Sequence, residues 1–296
     1  MCLIAFAIRS SVRWPLVVAA NRDEYLDRPS AALARWRTPG GADIVSGRDL
    51  RAGGAWFGVT PQGRVAFLTN VRELNAPDAP HSRGELVTRW LGSVADADGF
   101  VATLRASKAD FAGFNLIIGD VQTGAWHWVT NRATHDGLQV QALPAGVYGL
   151  SNAALDTPWP RTLELKRALA DALELRGEPA PLAALEGVLW DALANGERPV
   201  AERLPRNGLP LEREQALSSA FVDFSDGAYG TVSSTLLTVE SLTPVEGRTG
   251  MGMCIGKVLI QERQHRRASG AAALKPAPAW VLHSETLAWP TTASAS

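Results

Sequence analysis

The sequence predicts an α+β fold in which helices cover an antiparallel sheet core. Strand-like and helix-like segments occur in separate blocks, whereas a doubly wound fold would alternate them. Short turn sequences such as Pro61-Gln62-Gly63 join apolar runs of strand length. No internal repeat or proline-rich linker divides the chain. We therefore expect one domain over residues 1–285 and a frayed tail, rich in Thr, Ala and Ser, over residues 286–296.

The first two strands are expected to form a hairpin. Residues 3–8 and 16–20 are apolar runs, and the polar stretch at residues 9–13 between them is typical of a turn. In an antiparallel pair the numbers of opposite residues have a constant sum, which for this turn is roughly 23 to 25. The register therefore places Cys2 opposite Asn21, Arg22 or Asp23.

The later elements follow from apolar spacing and from turn and capping residues. Ser82-Arg83-Gly84-Glu85 has the form of a capping box, and another helix is expected to begin at Pro158-Trp159-Pro160. Two more helices are expected over residues 100–107 and 182–194. The strands expected are residues 55–60, 64–69, 114–118, 125–129, 138–142, 147–150, 229–240 and 257–262.

A glycine-rich segment at residues 47–54 precedes one of these strands. Such a segment permits backbone conformations that are closed to other residues. Its spacing fits neither the P-loop nor the dinucleotide-binding fingerprint. We therefore expect close backbone packing here and not a phosphate site.

Composition excludes several functional classes. The hydrophobic content is 46%, the net charge is −1 and the pI is about 6.5, so no nucleic-acid or anionic-membrane partner is indicated. No apolar run reaches the length of a membrane span, and Arg9 and Arg13 interrupt the only signal-like segment. The two cysteines, Cys2 and Cys254, are too few for a disulfide framework. We expect a cytoplasmic protein, and its oligomeric state stays open.

Cys2 is the main candidate for chemistry. Removal of Met1 would place a thiol and a free α-amine on one residue, so that nucleophile and base belong to the same group. Their ordinary pKa values, about 8.5 and about 7.7–8.0, allow the amine to take the thiol proton near neutral pH. Asp23 or Arg22 would set the orientation of the amine. The alternative is that Cys2 is simply a small apolar residue at the start of a strand.

Seven motifs occur in order over the first 165 residues and together resemble one family. They are Met1-Cys2-Leu3, Asn21-Arg22-Asp23-Glu24, Gly53-Gly54-Ala55-Trp56, Leu68-Thr69-Asn70, Ser82-Arg83-Gly84, Phe114-Asn115-Leu116, and Gly149-Leu150-Ser151-Asn152 followed by Leu155-Asp156-Thr157-Pro158-Trp159-Pro160. This set resembles the NRDE family, also called the transport and Golgi organisation family. That family resembles in turn the N-terminal-nucleophile hydrolases of the penicillin-acylase and bile-salt-hydrolase type.

The resemblance implies a four-layer αββα sandwich and a set of site residues. In it Cys2 corresponds to the nucleophile and Asp23 to the carboxylate that holds its amine, and in the hydrolase hypothesis Arg22 helps to orient that amine. Asn70 and Asn152 correspond to asparagines around the oxyanion and the nucleophile. Asn21, Trp56 and Ser151, which lie within the same motifs, are assigned to substrate binding. The expected activity is hydrolysis of a small acyl amide or thioester, with no cofactor required and no metal.

The last third of the sequence departs from the family pattern. Family members carry an arginine after Tyr-Gly-Thr, where this chain has Val232, and Arg22 is the candidate to supply the missing charge.

A second functional hypothesis also comes from the resemblance. The family has been linked to haem trafficking, acyl-CoA handling, secretion and Golgi organisation, which implies a non-catalytic carrier with haem as a possible ligand. The five histidines lack metal-ligand spacing, and no CxxCH haem-attachment motif occurs. The most suggestive local arrangement, Trp126-His127-Trp128, is explained by ordinary strand packing.

Overall fold

The computed structural model describes residues 2–73, 78–134, 137–175, 178–206, 208–241, 255–265 and 280–289. The strands in these ranges are β1 (Cys2–Ile8), β2 (Leu16–Tyr25), β3 (Ser30–Arg37), β4 (Asp43–Asp49), β5 (Phe57–Val59), β6 (Arg64–Asn70), β7 (Phe114–Asp120), β8 (Ala125–Thr134), β9 (Gly137–Ala142), β10 (Gly146–Leu150), β11 (Glu174–Leu175), β12 (Glu178–Pro179), β13 (Tyr229–Ser241), β14 (Ile255–His265) and β15 (Trp280–Leu287). The α-helices are α1 (Gly84–Gly92), α2 (Ala97–Ser107), α3 (Pro160–Leu173), α4 (Leu182–Leu193) and α5 (Leu211–Leu217).

Two large antiparallel sheets form the centre of the protein. Among the described residues the first sheet has six strands in the order β10-β1-β2-β13-β14-β15, and the second has seven in the order β3-β4-β5-β6-β7-β8-β9. Apolar side chains from both sheets fill the space between them. They include Phe6, Val18, Phe57, Phe67, Ile117, Trp126, Trp128 and Leu237.

Helices cover the outer face of each sheet. Helices α3 and α4 pack on the first sheet through Leu165, Leu169, Leu185 and Leu189. Helices α1 and α2 pack on the second sheet through Leu86, Trp90, Phe100 and Leu104. The order helix, sheet, sheet, helix confirms the predicted α+β class and the four-layer αββα sandwich. Within the described ranges, no helix is both long and apolar enough to cross a bilayer.

Burial on both faces explains the composition of β1. Its seven residues are all buried, because odd-numbered side chains meet α3 and α4 and even-numbered ones enter the space between the sheets. A strand covered on both faces is a continuous apolar run and shows no alternation. The hairpin register is also confirmed, since Cys2 pairs with Arg22, a sum of 24 within the expected interval.

The sequence analysis did not predict several of these elements. Strands β3, β4 and β15 and helix α5 were not predicted. Only Leu33 of β3 is buried, so the strand lacks the apolar alternation on which prediction depends. Strand β4 takes up the first part of the glycine-rich segment at 47–54.

The close packing predicted for that glycine-rich segment is confirmed. A Cβ atom on Gly54 would lie 2.5 Å from the backbone carbon of Gly84, and one on Gly47 would lie 2.4 Å from the ring of Trp56. The capping box at the start of α1 is only half formed. Glu85 accepts a hydrogen bond from the Ser82 N–H, but the Ser82 hydroxyl accepts from Gly84 and not from Glu85.

Strand β15 continues past residue 286, at which the tail was expected to begin. Thr286 and Leu287 complete β15, and Trp289 is buried with its indole N–H donating to the Thr60 carbonyl at 2.8 Å. The first sheet therefore extends to Leu287, and Trp289 beyond it packs against the turn after β5. Met1, Cys254 and residues 290–296 lie outside the described residues.

Candidate active site

The site is built where β1, β2 and β13 lie side by side. Cys2 pairs with Arg22 on β2, and Arg22 pairs on its other side with Ser233 of β13. The register of β13 shifts between Thr231 and Ser233, so Val232 occupies a β-bulge beside the site. Val232 is the position at which the family pattern expects arginine.

The two faces of β2 divide the predicted site residues into two groups. Side chains alternate along a strand, so Arg22 shares a face with Cys2 while Asn21 and Asp23 share the opposite face. Arg22 lies toward the second sheet, with its guanidinium 4.2 Å from the centre of the Trp56 ring. Asp23 lies toward α3, where its Oδ2 atom accepts from Arg161 at 3.0 Å and its Oδ1 atom accepts from Thr231 at 2.8 Å.

A cavity of about 270 Å³ opens over Cys2. It lies between the start of β1 and the end of β2 in the first sheet, the residues just before β5, the end of β6 and the start of α1. Its lining residues are Cys2, Arg22, Asp23, Glu24, Tyr25, Arg28, Asp49, Ala55, Trp56, Leu68, Asn70, Ser82, Arg83 and Gly84. Of the predicted site residues, the cavity brings together Cys2, Arg22, Asp23, Trp56 and Asn70.

Asn21, Ser151 and Asn152 lie behind this cavity and not on it. Asn21 is 1% exposed, and its Nδ2 atom donates to the carbonyls of Leu193 and Ala220. The Ser151 hydroxyl is buried and donates to the Cys2 carbonyl at 3.3 Å. Neither side chain lines this cavity, because Asn21 lies on the face of β2 opposite Arg22 and Ser151, directly after β10, is 3% exposed.

Asn152 holds Asn70 in place. Its Nδ2 atom donates to the Oδ1 atom of Asn70 at 2.9 Å and to the Asn70 carbonyl at 3.1 Å. Both amide protons of Asn152 are thereby used. Asn70 itself lines the cavity, and its Nδ2 atom makes a 3.3 Å bond to the Val71 carbonyl. Only Asn70 of the two asparagines is placed to donate a hydrogen bond into the cavity.

Arg161 is the residue that the sequence analysis missed. It is fully buried at the start of α3 and donates to four partners around the nucleophile. These are Asp23 Oδ2, the Cys2 carbonyl, Ser151 Oγ and Asn152 Oδ1, the last at 2.7 Å. Its only signal in the sequence was its position directly after Trp159-Pro160 in the last motif.

Burial changes the acid–base properties of the site. Cys2 is only 9% exposed, and burial raises the pKa of its thiol above the ordinary value, although the charge of Arg22 opposes this shift. The thiol therefore lies at the floor of the cavity. Burial also raises the pKa of Tyr229, whose hydroxyl donates to the Asp23 carbonyl at 2.9 Å. A proton acceptor is required to form the thiolate at neutral pH.

Comparison with known proteins gives a family match over most of the chain. The sequence model of the family described as "Transport and Golgi organisation 2" matches residues 1–246. Transport and Golgi organization protein 2 homologs from Bos taurus and Homo sapiens are each 31% identical, over 249 and 252 residues, which is 81% of this chain and 89% of theirs. The Drosophila melanogaster protein is 23% identical over 261 residues.

Solved structures also resemble the fold at a distance. A Caenorhabditis elegans ortholog of N-acylethanolamine-hydrolyzing acid amidase aligns with a TM-score of 0.46 and 14% identity, covering 80% of this chain and 92% of its own. A C2A mutant of conjugated bile acid hydrolase from Clostridium perfringens aligns with a TM-score of 0.47 and 8% identity, covering 83% and 91%. Both scores lie below 0.5, so neither the fold class nor the chemistry rests on them.

Proposed function

Since the chain belongs to the Transport and Golgi organisation 2 family, we propose that it is an amidohydrolase whose nucleophile is the thiol of Cys2. The observation that carries the proposal is the position of Cys2, which is 9% exposed and lies at the floor of a cavity lined with polar groups. At about 270 Å³ the cavity is near the lower end of small-molecule sites. A small acyl amide or thioester suits this size.

The reaction begins once Met1 has been removed. The α-amine of Cys2 takes the thiol proton, and the thiolate sulfur forms a bond to the carbonyl carbon of the substrate. When the tetrahedral intermediate collapses, the C–N bond breaks and the leaving amine takes the proton from the α-ammonium group. Water then attacks the thioester while the α-amine accepts its proton, which releases the carboxylic acid and restores the thiol.

Asn70 is proposed as the donor to the oxyanion. Its side chain lines the cavity, and Asn152 fixes its orientation from behind. A preoriented donor of this kind stabilises the developing charge by about 3–4 kcal/mol. Asn152 is then a positioning residue and does not contact the substrate.

Arg161 and Asp23 are proposed to hold the nucleophile in place. Arg161 ties the Cys2 carbonyl to Asp23, Ser151 and Asn152 in one buried network. The carboxylate of Asp23 is the group we propose to bind the α-ammonium of mature Cys2. With Val232 at the bulge, it is Arg161, and not Arg22, that supplies a buried cation to Asp23.

A non-catalytic binding role is the second candidate. It is favoured by the low exposure and raised pKa of the Cys2 thiol, both of which make a thiol less reactive. Haem or an acyl thioester would then be bound without turnover. The described histidines at positions 81, 127, 265 and 283 are not among the residues that line the Cys2 cavity.

Two measurements on the purified protein test these proposals. Intact-mass analysis shows whether Met1 is removed, because a retained methionine blocks the amine. A small set of N-acyl amides and thioesters is then incubated with the protein, and the acyl-Cys2 adduct and released amine are measured. We expect adduct and release with the parent and with Cys254→Ala, the matched cysteine control, but not with Cys2→Ala or Asp23→Asn.

Other outcomes exclude the hydrolase. Retained Met1, or substrate turnover that survives Cys2→Ala, would be incompatible with the mechanism. Saturable binding without turnover, including a Soret band on haem titration that survives Cys2→Ser, would support the carrier instead.

A further inference from the structure

Arg22 is a buried guanidinium whose hydrogen-bonding capacity is not filled. It lines the Cys2 cavity and is 5% exposed. Its Nη1 atom is buried without a hydrogen-bond partner among the described residues. Its Nη2 atom lies 3.6 Å from a Glu24 oxygen and 3.8 Å from an Asp49 oxygen, too far for good hydrogen bonds. A buried donor of this kind is costly unless a partner arrives.

The carboxylates nearest Arg22, those of Glu24 and Asp49, do not form close ion pairs with it. Asp49 accepts from Arg28 at 2.7 Å and from the backbone N–H groups of Arg51 and Ala52, so its oxygens are already well used. Arg28 therefore neutralises Asp49 within the same cavity. The Arg22 guanidinium carbon also lies over the Trp56 ring, 4.2 Å from its centre, a cation–π contact that helps to hold the side chain in the cavity.

A second cation and a helix end face the same space. Arg83 lines the cavity, and within the described part of the chain its side chain makes one hydrogen bond, a 3.3 Å contact from Nη1 to the Gly113 carbonyl. Burial lowers the pKa of Arg83, the electrostatic cost of a cation without a carboxylate partner. Helix α1 begins at Gly84, which also lines the cavity, and the first turn of a helix carries partial positive charge.

We propose that Arg22 and Arg83 form a binding site for a carboxylate of the substrate, so that the enzyme acts on small acyl amides that carry a carboxylate group. The inference deepens the proposed function, since it names the substrate class of the same cavity. A planar carboxylate matches the guanidinium fork. A phosphate carries about two negative charges, and the carboxylate of Glu24, 3.6 Å from Arg22, opposes the second.

Binding is tested in the full-length Cys2→Ala variant, which separates the carboxylate site from nucleophilic chemistry. The probes are succinamate, its neutral analogue succinamide, and inorganic phosphate, with dissociation constants from calorimetry or NMR titration. We expect succinamate to bind at least about tenfold more tightly than either of the others, because a charge-assisted hydrogen bond contributes more than about 1.4 kcal/mol.

Arg22→Gln and Arg83→Gln, each added to Cys2→Ala, should weaken succinamate binding at least about tenfold and leave succinamide unchanged. Arg83→Gln is the safer variant because Arg83 is less buried than Arg22. Arg37→Gln is the control, since it removes the same charge from an exposed pair with Asp43 at the other end of β3 and β4. Thermal unfolding confirms that each variant folds.

Two results would overturn the inference. One is equal binding of succinamate and succinamide, which shows that the carboxylate is not recognised. The other is tighter binding of phosphate than of succinamate. Neither result bears on whether Cys2 is a nucleophile, and loss of acyl-Cys2 adduct in the parent protein would not affect the binding experiment.

Discussion

Glu262 offers a direct test of the electrostatics around the site. It lies on β14, is 2% exposed, and its Oε1 atom accepts from the Leu33 N–H at 2.9 Å. Burial raises the pKa of this carboxyl from 4.5 to about 7, while the Leu33 N–H and the charge of Arg22 act in the opposite direction. We consider the change Glu262→Gln, which removes the ionisable group but keeps an oxygen acceptor for Leu33.

The sign of the effect follows from proton binding. Between pH 4.5 and 7 the folded state holds the Glu262 proton and the unfolded state has lost it, so the free energy of unfolding falls as pH rises. The difference between 4.5 and about 7, at 1.36 kcal/mol for each pH unit, is about 3 kcal/mol in all. Most of this loss lies below pH 7, and stability is then independent of Glu262 at higher pH.

Urea denaturation of parent and variant at pH 5, 6, 7 and 8 measures the effect. We expect the free energy of unfolding of Glu262→Gln to be close to that of the parent at pH 5 and to exceed it by about 2.5 kcal/mol at pH 8. Glu285→Gln is the control, because Glu285 is partly exposed and paired with Arg35. A stability difference between Glu262→Gln and the parent that stays constant, or that falls with rising pH, would refute the reasoning.

Three further predictions concern the nucleophile, its support and the packing beneath it. Alkylation of Cys2 by iodoacetamide in protein that retains Met1 should still accelerate above pH 9, because burial raises the pKa of the thiol; a plateau near pH 8 would contradict this. Arg161→Met should lower the free energy of unfolding by about 3 kcal/mol in urea by leaving Asp23 without its cation, and Asp23→Asn in the same chain should recover part of the loss. Gly54→Ala should destabilise by about 1–3 kcal/mol by forcing α1 outward, whereas Gly187→Ala, whose Cβ meets no atom within 4 Å, should stabilise by up to about 1 kcal/mol; equal thermal shifts would be the contrary result.

Local rules predicted the elements that carry strong patterns. The hairpin of β1 and β2 followed from two apolar runs and a polar turn, and its register followed from arithmetic alone. Strand β13 and the helices α1, α3 and α4 were predicted for the same reason. Strands β3 and β15 were not predicted because they are partly exposed and lack an apolar pattern. They are strands because they pair with β4 and β14, and that pairing is not visible in their own sequences.

The sequence predicted the position of the nucleophile in the site but not the buried network that supports it. Hairpin register is a local property, so Cys2 could be placed opposite residues 21–23 from the first 25 residues, and the structure selects Arg22 among them. The role of Arg161 could not be derived in this way, because Asp23 and Arg161 are separated by 138 positions and meet only when α3 packs on β1.

By itself, then, the sequence determined the class of fold, the family and the position of the candidate nucleophile, since these depend on periodicity, turn chemistry and order along the chain. Tertiary structure decided which side chains reach the cavity and which cation supports Asp23. The reason is that each sheet is covered on both faces, so a strand's pattern no longer tells which of its residues face the ligand. Strand alternation puts Arg22 and Cys2 on one face and Asn21 and Asp23 on the other, but only tertiary packing decides that the first face meets the second sheet and the other meets α3.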